Sequence, residues 1–393
     1  MKEVVIVSAC RTPIGSFGGA LSSVSAPQLG AIVIEEAVKR AGLSKESVDE
    51  VIMGNVVQAG VGQSPARQAA IYAGLPPTVQ TMTVNKVCGS GLKAIMLASQ
   101  AIALGDADII VAGGMESMSN APYLIPKARY GYRFGNGEFQ DALLRDGLQD
   151  VYQGVPMGNF ADKCAKECEI PREAQDEFAI RSYTRAQESV TSGKFKEEIV
   201  TVPIPGRKGE VTNVDTDEDP FKTNFEKIPK LKPAFQKDGT VTAANASKIN
   251  DGAAAVVVMS LEKAQSLGVK PIAKIIGSAS AAKSPDWFTT APADVIPKVL
   301  AKTKLTLNDI DLFEINEAFS VVTLAVNKLV GIDVNKVNVN GGAVALGHPI
   351  GASGARITVT LLNALKQQKA KRGMSAICIG GGEASAMIVE LVK

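Results

Sequence analysis

The only histidine in this chain of 393 residues, His348, lies in the glycine-rich stretch "GGAVALGHPIGASGAR". A lone histidine is more often structural than catalytic, so its surroundings must decide its role. Glycines allow tight turns, and an imidazole that titrates near neutral pH can take a proton from a thiol. The stretch lacks the G-x-x-x-x-G-K-[ST] pattern of a phosphate-binding loop. It therefore predicts a turned loop that carries one base.

A candidate nucleophile, Cys88, stands in "VNKVCGSGLKA", between an apolar run and the small residues that open a predicted helix. The amino terminus of a helix stabilises a thiolate, and glycines let a substrate approach the backbone. A buried cysteine that merely precedes a helix is the alternative. The residues alone leave both interpretations open.

Further reactive side chains follow two predicted strands near the carboxyl terminus. Asn316 and Glu317 come after "DLFEI", where an amide can donate to an oxyanion and a carboxylate can orient a neighbour. Cys378 ends "AICI" and precedes three glycines, whose N–H groups could form an oxyanion hole. A thiol there suits acid–base chemistry, and a buried strand cysteine is the alternative. Active sites of α/β sheets gather at such strand ends.

The elements that must position these residues occur twice. Residues 33–56 and 295–318, which lie 262 positions apart, both read as a helix, a Leu-Ser or Leu-Thr turn and an apolar strand. "CGSGLKAIMLASQAI" and "GASGARITVTLLNAL" each predict a small-residue turn that opens an apolar helix, and "DIIVAGGMES" and "AICIGGGEAS" each predict a strand followed by a glycine turn. We therefore expect an α/β fold of two duplicated halves with a mixed, largely buried sheet.

The middle of the chain has no counterpart in this repeat and carries most of the charge runs. We expect residues 1–120 plus 249–269 to form the amino-terminal half, residues 121–248 an inserted loop domain, and residues 270–393 the carboxyl-terminal half. The return to the first half would begin at "SKINDGAAAVVVMS". Long insertions of this kind tend to be functional.

Composition excludes several classes of protein. A net charge of +2 with scattered basic residues predicts no nucleic-acid partner. No uninterrupted apolar run reaches the roughly 18 residues of a membrane span, and the chain opens with a strand-like run, so we expect a cytoplasmic protein without a membrane partner. Five irregularly spaced cysteines argue against a disulfide framework.

Taken together, these segments resemble the thiolase family over essentially the whole chain. "VNKVCGSGLKA", "GGMESMSNAP", "NEAF", "GGAVALGHPIGASGAR" and "CIGGG" stand in the order and spacing of that family. "NEAF" resembles the short-chain, biosynthetic branch. The resemblance implies a layered α-β-α-β-α fold and the Claisen condensation of two acetyl-CoA molecules to acetoacetyl-CoA and CoA through an acetyl-cysteine.

The same resemblance assigns the catalytic roles. Cys88 would accept the acetyl group, His348 would deprotonate Cys88, and Cys378 would remove the α-proton of the second acetyl-CoA. One oxyanion hole would combine His348 with a water held by Asn316, and the other would use the backbone N–H groups of Cys88 and Gly380. No metal or organic cofactor would be required.

The loop domain, by resemblance, would bind the coenzyme A thioesters. Ser247 would contact the pantetheine, Lys222 and Lys227 would meet the nucleotide phosphates, and a slot would be lined by Leu148, Met157, Phe235, Ala243, Ala318 and Phe319. Trp287 and Phe288 would lie near the acyl pocket and favour short acyl groups. Five further residues match a potassium site of one thiolase subfamily: Tyr183, Ala243, Ala244, Ala246 and Val344.

Other functions remain open at this stage. A broader 3-ketoacyl-CoA thiolase would differ in chain-length preference, and a non-catalytic acyl-CoA-binding relative would bind without turnover. A carrier-protein ketosynthase usually needs two histidines, and this chain has one. The family resemblance also predicts a homo-oligomer, either a dimer or a tetramer. The sequence does not indicate what Glu383, in the final glycine motif, faces.

Overall fold

A computed structural model describes residues 1–206 and 209–392 of the chain. Its α-helices within these residues are α1 (Ala26–Arg40), α2 (Pro65–Tyr72), α3 (Ser90–Leu104), α4 (Met157–Glu167), α5 (Arg172–Thr191), α6 (Leu261–Leu267), α7 (Ala291–Thr303), α8 (Ser320–Val330), α9 (Ala343–Leu346) and α10 (Ser353–Gln368). Its strands there are β1 (Val4–Arg11), β2 (Gly15–Ser16), β3 (Glu50–Gly54), β4 (Gln80–Val84), β5 (Ile109–Ser117), β6 (Tyr123–Leu124), β7 (Gln140–Asp141), β8 (Val202–Pro205), β9 (Val211–Val214), β10 (Asn250–Ser260), β11 (Ala273–Ala282), β12 (Leu312–Ile315), β13 (Arg372–Ile379) and β14 (Glu383–Leu391).

The main sheet runs in the order β12-β13-β14-β11-β1-β10-β5-β3-β4, and β2 pairs with β10. Strands β3, β4 and β5 are mutually parallel, as are β12 and β13, while the other pairs are antiparallel. The order of strands in the first half-sheet thus recurs in the second: β3, β5, β10 and β1 correspond to β12, β13, β14 and β11. The two half-sheets join through a short antiparallel contact between β1 and β11.

Five layers follow from burial on both faces of each half-sheet. Val5 and Val7 pack outward against α1 and α2, whereas Val4 and Ile6 face an inner cluster built on α3 and α10. Successive strand residues point to opposite faces, so a strand covered on both sides is apolar throughout. The second half-sheet packs one face against the same inner cluster and the opposite face against α7. The expected α-β-α-β-α fold is therefore confirmed.

Two aspartates make the repeat visible in hydrogen bonds. Asp49 Oδ2 accepts from the backbone N–H groups of Asp108 and Ile109, both at 2.8 Å. At the matched position of the second half, the same oxygen of Asp311 accepts from two successive backbone N–H groups, also at 2.8 Å. In each half this carboxylate ties the start of one parallel strand, β3 or β12, to the start of its neighbour.

One local prediction is wrong. "DIIVAGGMES" does not end in a glycine turn, because β5 continues through both glycines to Ser117. A Cβ atom at Gly113 would come within 2.1 Å of the Ala254 carbonyl oxygen, and one at Gly114 within 2.1 Å of the Gly351 oxygen. These glycines allow close approach of neighbouring backbones and do not reverse the chain.

The inserted segment contains α4, α5 and two short hairpins, β6–β7 and β8–β9. It is anchored to β1 through Arg11, which is fully buried. The guanidinium group donates to Glu198 at 2.6 Å and binds both carboxylate oxygens of Asp217 at 2.7 and 2.9 Å. The residues of the main sheet and of the insertion are thus tied by a buried ionic network. The domain boundaries proposed above stay a prediction.

A further stretch, Val87–Leu104, has the length and mean hydropathy of a membrane span although it is interrupted by polar residues. Half of it is buried. Its helical part, α3, packs against α10 and the strands β3, β5 and β10. These are the contacts of a core helix.

We predict that Asp217→Asn lowers the free energy of unfolding by about 3 kcal/mol, because it leaves the buried charge of Arg11 with a single carboxylate partner. Urea denaturation followed by circular dichroism measures the change. Glu197→Gln is the matched control, since Glu197 pairs with Lys366 in an exposed salt bridge. Equal effects of the two substitutions would show that the buried network does not anchor the insertion.

Candidate active site

Two glycines bring the amino ends of α3 and α10 together. Gly91 and Gly354 occupy matched positions in the repeat. A Cβ atom at Gly91 would lie 2.8 Å from the backbone nitrogen of Ala355, and one at Gly354 would lie 2.3 Å from that of Leu92. Both contacts are too short for any side chain, so the helices can cross this closely only at glycine. The loops that precede the two helices carry Cys88 and His348.

The Cys88 loop is a strained turn. Val87 has φ +45°, a left-handed conformation that is rare for a β-branched residue. Ser90 compensates, since its hydroxyl donates to the Val87 carbonyl at 2.7 Å and accepts from the Lys86 N–H at 2.8 Å. Backbone strain that neighbouring bonds maintain in this way is common at functional sites. The turn leaves Cys88 half-buried, just before α3.

Cys88 meets the glycine turn that follows Cys378. Burial raises the pKa of the Cys88 thiol to about 11, and the backbone N–H groups of Gly380 and of Cys88 itself oppose this by donating to the sulfur. Burial, together with the Cys88 sulfur, raises the pKa of Cys378 well above its ordinary value. Glu383 forms an ion pair with Lys86 across the same junction. Both thiols are therefore protonated at neutral pH.

The hydrogen bonds of His348 assign its tautomer. Its Nδ1 lies 2.6 Å from the Ser353 hydroxyl oxygen, and that hydroxyl donates to the Pro349 carbonyl at 2.8 Å. Since the serine proton is committed to Pro349, Nδ1 must carry the proton and Nε2 keeps its lone pair. Burial and the positive charge of Arg356 lower the pKa of His348 to about 3. The imidazole is thus a neutral base.

Asn316 completes the polar side of the site. Its Nδ2 lies 3.5 Å from His348 Nε2, and its backbone N–H donates to Ala376 at 2.9 Å, two residues before Cys378. Its Oδ1 is buried and accepts no hydrogen bond within the described part of the chain. A buried amide oxygen without a protein partner is available to a water or a substrate.

Glu116 was not assigned a role from the sequence, yet it ties the His348 loop to the end of β3. Its carboxylate accepts from Asn55 Nδ2 at 2.7 Å, from the Val56 N–H at 3.0 Å and from the Gly351 N–H at 2.8 Å. Burial raises its pKa to about 7, while these bonds oppose the shift. The only sequence signal is a carboxylate in an otherwise apolar strand.

Asn250 is a second residue that the sequence did not indicate. Its Oδ1 accepts from the backbone N–H of His348 at 3.0 Å, and its Nδ2 donates to Asp219 at 2.7 Å. A buried asparagine at the start of the entirely buried strand β10 thus fixes the backbone of the His348 loop. Glu317 has a similar role for α9, as it accepts from the Val344 N–H at 3.1 Å and from Ser182 at 2.7 Å.

The residues predicted to line a pantetheine slot fall into two groups. Met157, Ala318 and Phe319 belong to the apolar cluster that contains Cys378, and the Phe235 ring packs edge-on against Phe319 with centroids 6.0 Å apart. Leu148 and Cys88 both pack against a separate apolar cluster that contains Val56 and Val57. The Ser247 N–H donates to the Ala318 carbonyl at 3.0 Å. Ala243, four residues earlier in the chain, is exposed.

The two predicted phosphate-binding lysines differ in their surroundings. The Lys222 ammonium group binds Glu218 at 3.0 Å and the Ser16 hydroxyl at 2.5 Å, so its charge is already compensated. Lys227 is exposed in a short helical turn, Phe225–Lys230. Of the two, Lys227 is the one whose surroundings suit a phosphate.

A cavity of about 580 Å³ opens beside the turn that carries Cys88. Its lining includes Val87, Gly380, Gly381, Met157 and Tyr152. Its size suits a small-molecule ligand. Phe288 is buried in the cluster that contains Cys378. Trp287 instead packs beneath the Lys163 ammonium group, 4.7 Å from the ring centroid.

The residues predicted to bind potassium include two that already share a cation. Lys248 Nζ donates to the hydroxyl of Tyr183 and to the carbonyl oxygen of Val344, the latter at 2.9 Å. An ammonium group between these oxygens leaves them unavailable to a potassium ion, so the predicted potassium site does not fit this chain. Among residues 1–206 and 209–392, no group of three or more His, Cys, Asp or Glu side chains could hold a metal ion.

Comparisons with known proteins agree with this architecture. Residues 4–262 match the N-terminal domain of thiolase and residues 269–391 its C-terminal domain. The mitochondrial acetyl-CoA acetyltransferase of Rattus norvegicus is 54% identical, and the match covers 99% of this chain and 91% of that protein. The cytosolic ERG10 acetyl-CoA acetyltransferase of Gibberella zeae is 53% identical, and the match covers 99% of this chain and 98% of that protein. The Acat5 thiolase of Ascaris suum, solved in complex with coenzyme A, superimposes with a TM-score of 0.94 at 48% identity over the whole of both chains. The chain therefore belongs to the thiolase family.

Proposed function

We propose that the chain is an acetyl-CoA C-acetyltransferase, which joins two acetyl-CoA molecules to acetoacetyl-CoA and CoA and catalyses the reverse thiolysis. One observation carries the proposal. The Cys88 loop lies against the glycine turn after Cys378, since a Cβ atom at Gly380 would be 3.5 Å from Val87 Cγ1, and neutral His348 stands in the loop whose Gly351 carbonyl approaches Gly91 in the first turn of α3. These contacts support the proposal that a nucleophile, a base and a second thiol act on one acyl group.

In the first half-reaction, the Cys88 sulfur attacks the thioester carbonyl of acetyl-CoA and its proton passes to His348 Nε2. The tetrahedral intermediate collapses, the bond to CoA sulfur breaks, and the departing CoA thiolate takes that proton. Acetyl-Cys88 remains. One oxyanion hole would combine a water held by Asn316 with His348, once Nε2 carries the proton, and the other would use the N–H groups of Cys88 and Gly380.

In the second half-reaction, Cys378 first passes its proton to His348, and the resulting thiolate takes the α-proton of another acetyl-CoA. The carbanion attacks the acetyl carbonyl on Cys88, a carbon–carbon bond forms, and the departing Cys88 thiolate takes the proton back from His348. Burial raises the pKa of Cys378, which brings this thiol nearer to a weak carbon acid and keeps it protonated at rest. The resting form suits the thiolysis direction, in which Cys378 donates its proton. Coenzyme A thioesters are the only other reactants, so these steps need no metal or organic cofactor.

A broader 3-ketoacyl-CoA thiolase is the second candidate. The Phe288 ring, which packs against Phe319 with centroids 6.4 Å apart beside Cys378, favours the short-chain assignment because it limits the room for a longer acyl chain.

We also propose a homo-oligomer, either a dimer or a tetramer. Aromatic side chains of the insertion are exposed at Tyr130, Phe134, Phe139 and Tyr152, which is typical of an interface. We propose a cytoplasmic location, by analogy with the relative named as cytosolic, while another relative is named as mitochondrial.

The division of labour between the thiols is testable by substitution. Cys88→Ala should abolish covalent labelling by radioactive acetyl-CoA, whereas Cys378→Ala should keep labelling and lose condensation by ~10²–10⁴-fold. Cys10→Ala is the matched control, because Cys10 is a buried thiol on the opposite face of the sheet, bonded to the Val33 carbonyl. Wild-type condensation by Cys378→Ala would contradict the assignment.

The pH dependence of Cys88 alkylation follows from the two shifted groups. A thiol with a pKa near 11 beside a neutral imidazole should react with iodoacetamide at a rate that keeps rising from about pH 6 to about pH 9.5, because only the thiolate reacts rapidly. Mass spectrometry of the Cys88 peptide measures the rate. A plateau that begins near pH 7 would indicate a thiolate–imidazolium pair and contradict this account.

Chain-length preference tests the substrate assignment. Wild-type thiolysis should be much faster with acetoacetyl-CoA than with 3-ketohexadecanoyl-CoA, and Phe288→Ala should raise the relative rate with six-carbon or longer ketoacyl-CoA by roughly tenfold. Trp287→Ala is the matched aromatic control and should leave the preference unchanged. Equal wild-type rates across the series would favour the broader thiolase.

A further inference from the structure

Lys248 is an internal cation with an unusual set of partners. Its side chain is half-buried, and its ammonium group binds two neutral oxygens, the Tyr183 hydroxyl and the Val344 carbonyl. The same nitrogen lies 4.5 Å from the centroid of the Tyr183 ring, where an aromatic face attracts positive charge. Hydroxyl and carbonyl oxygens are the groups that coordinate hard metal cations in proteins.

Three segments meet at this ammonium group. Tyr183 belongs to α5 of the insertion, Val344 to α9, and Lys248 itself to the chain that leads into β10. Each segment continues toward the site. Helix α9 ends at Leu346, directly before Gly347 and two residues before His348. The chain around Lys248 contains Ser247, bonded to the Ala318 carbonyl, and Asn250, bonded to the His348 N–H.

Val344 is fixed through both of its backbone groups. Its carbonyl accepts from Lys248, and its N–H donates to Glu317 at 3.1 Å. A cation on one side of this residue and a buried carboxylate on the other hold α9 in place through charge-assisted hydrogen bonds, which are stronger than neutral ones. Loss of the cation would free the segment that positions the catalytic base.

We infer that Lys248 is a tethered cation that takes the place of a bound monovalent metal ion between Tyr183 and Val344, and that it is a positioning residue for His348 and the coenzyme A slot. The reaction then proceeds equally well with and without potassium. The catalytic part of this inference rests on the proposed thiolase activity. The binding part concerns only the folded chain.

The test compares wild type with Lys248→Ala and Lys248→Met in potassium, sodium and choline chloride at equal ionic strength. The wild-type thiolysis rate and melting temperature should be the same in all three salts. Lys248→Ala leaves room for an ion, so its rate should fall about tenfold and recover with potassium or a small alkylammonium ion, with a parallel rise in melting temperature. Lys248→Met fills the space without charge, so neither quantity should recover.

Three results would overturn the inference: potassium-specific stimulation of the wild type by several-fold, a Lys248→Ala protein with the rate and melting temperature of wild type, or an impaired Lys248→Ala protein that no cation restores. The melting temperature does not depend on the assigned reaction. If wild type cleaved no ketoacyl-CoA, the proposed function would fail while the salt dependence of melting still decided the role of Lys248.

Discussion

The close crossing of α3 and α10 is the constraint on which the site depends. A Cβ atom at Gly91 or Gly354 would collide with the backbone of the partner helix. The crossing places the two preceding loops side by side, and the duplicated scaffold then offers matched positions at which different residues stand. Cys88 corresponds to Gly351, and Gly54 corresponds to Asn316. One half thus contributes Cys88, and the other contributes His348, Asn316 and Cys378.

Burial determines the charge state of this assembly. It raises the pKa of both thiols and lowers the pKa of the imidazole, so the resting site holds neutral groups. Under the proposed mechanism, proton transfer from Cys88 to His348 accompanies attack on the substrate and does not precede it. Fixed donors, among them the Gly380 N–H, would meet the charges that develop. Ser353 keeps the imidazole in the one tautomer that leaves Nε2 free.

Much of this architecture was predictable because the chain repeats itself and because strands buried on both faces are apolar throughout. Cys88, His348, Cys378 and Asn316 were singled out from residue type and from their places at strand and helix ends, and the structure brings them to one region. The glycines of β5 were misinterpreted because a turn and a close backbone approach use the same residue. Glu116, Asn250 and Lys248 act through partners that are between 31 and 235 positions away in sequence, and local patterns carry no information on such pairs. For the same reason, residues that match the family's potassium site did not reveal that Lys248 lies between two of them, Tyr183 and Val344.

The central claim is that two thiols and one imidazole share a single acyl group. A crystal structure of the Cys88-acetylated protein with bound CoA tests it most directly. The account predicts that Cys378 Sγ and His348 Nε2 both lie within about 4–4.5 Å of the atoms of that acetyl group. An acetyl group that either side chain cannot reach, or that occupies a separate cavity from Cys378, would contradict it.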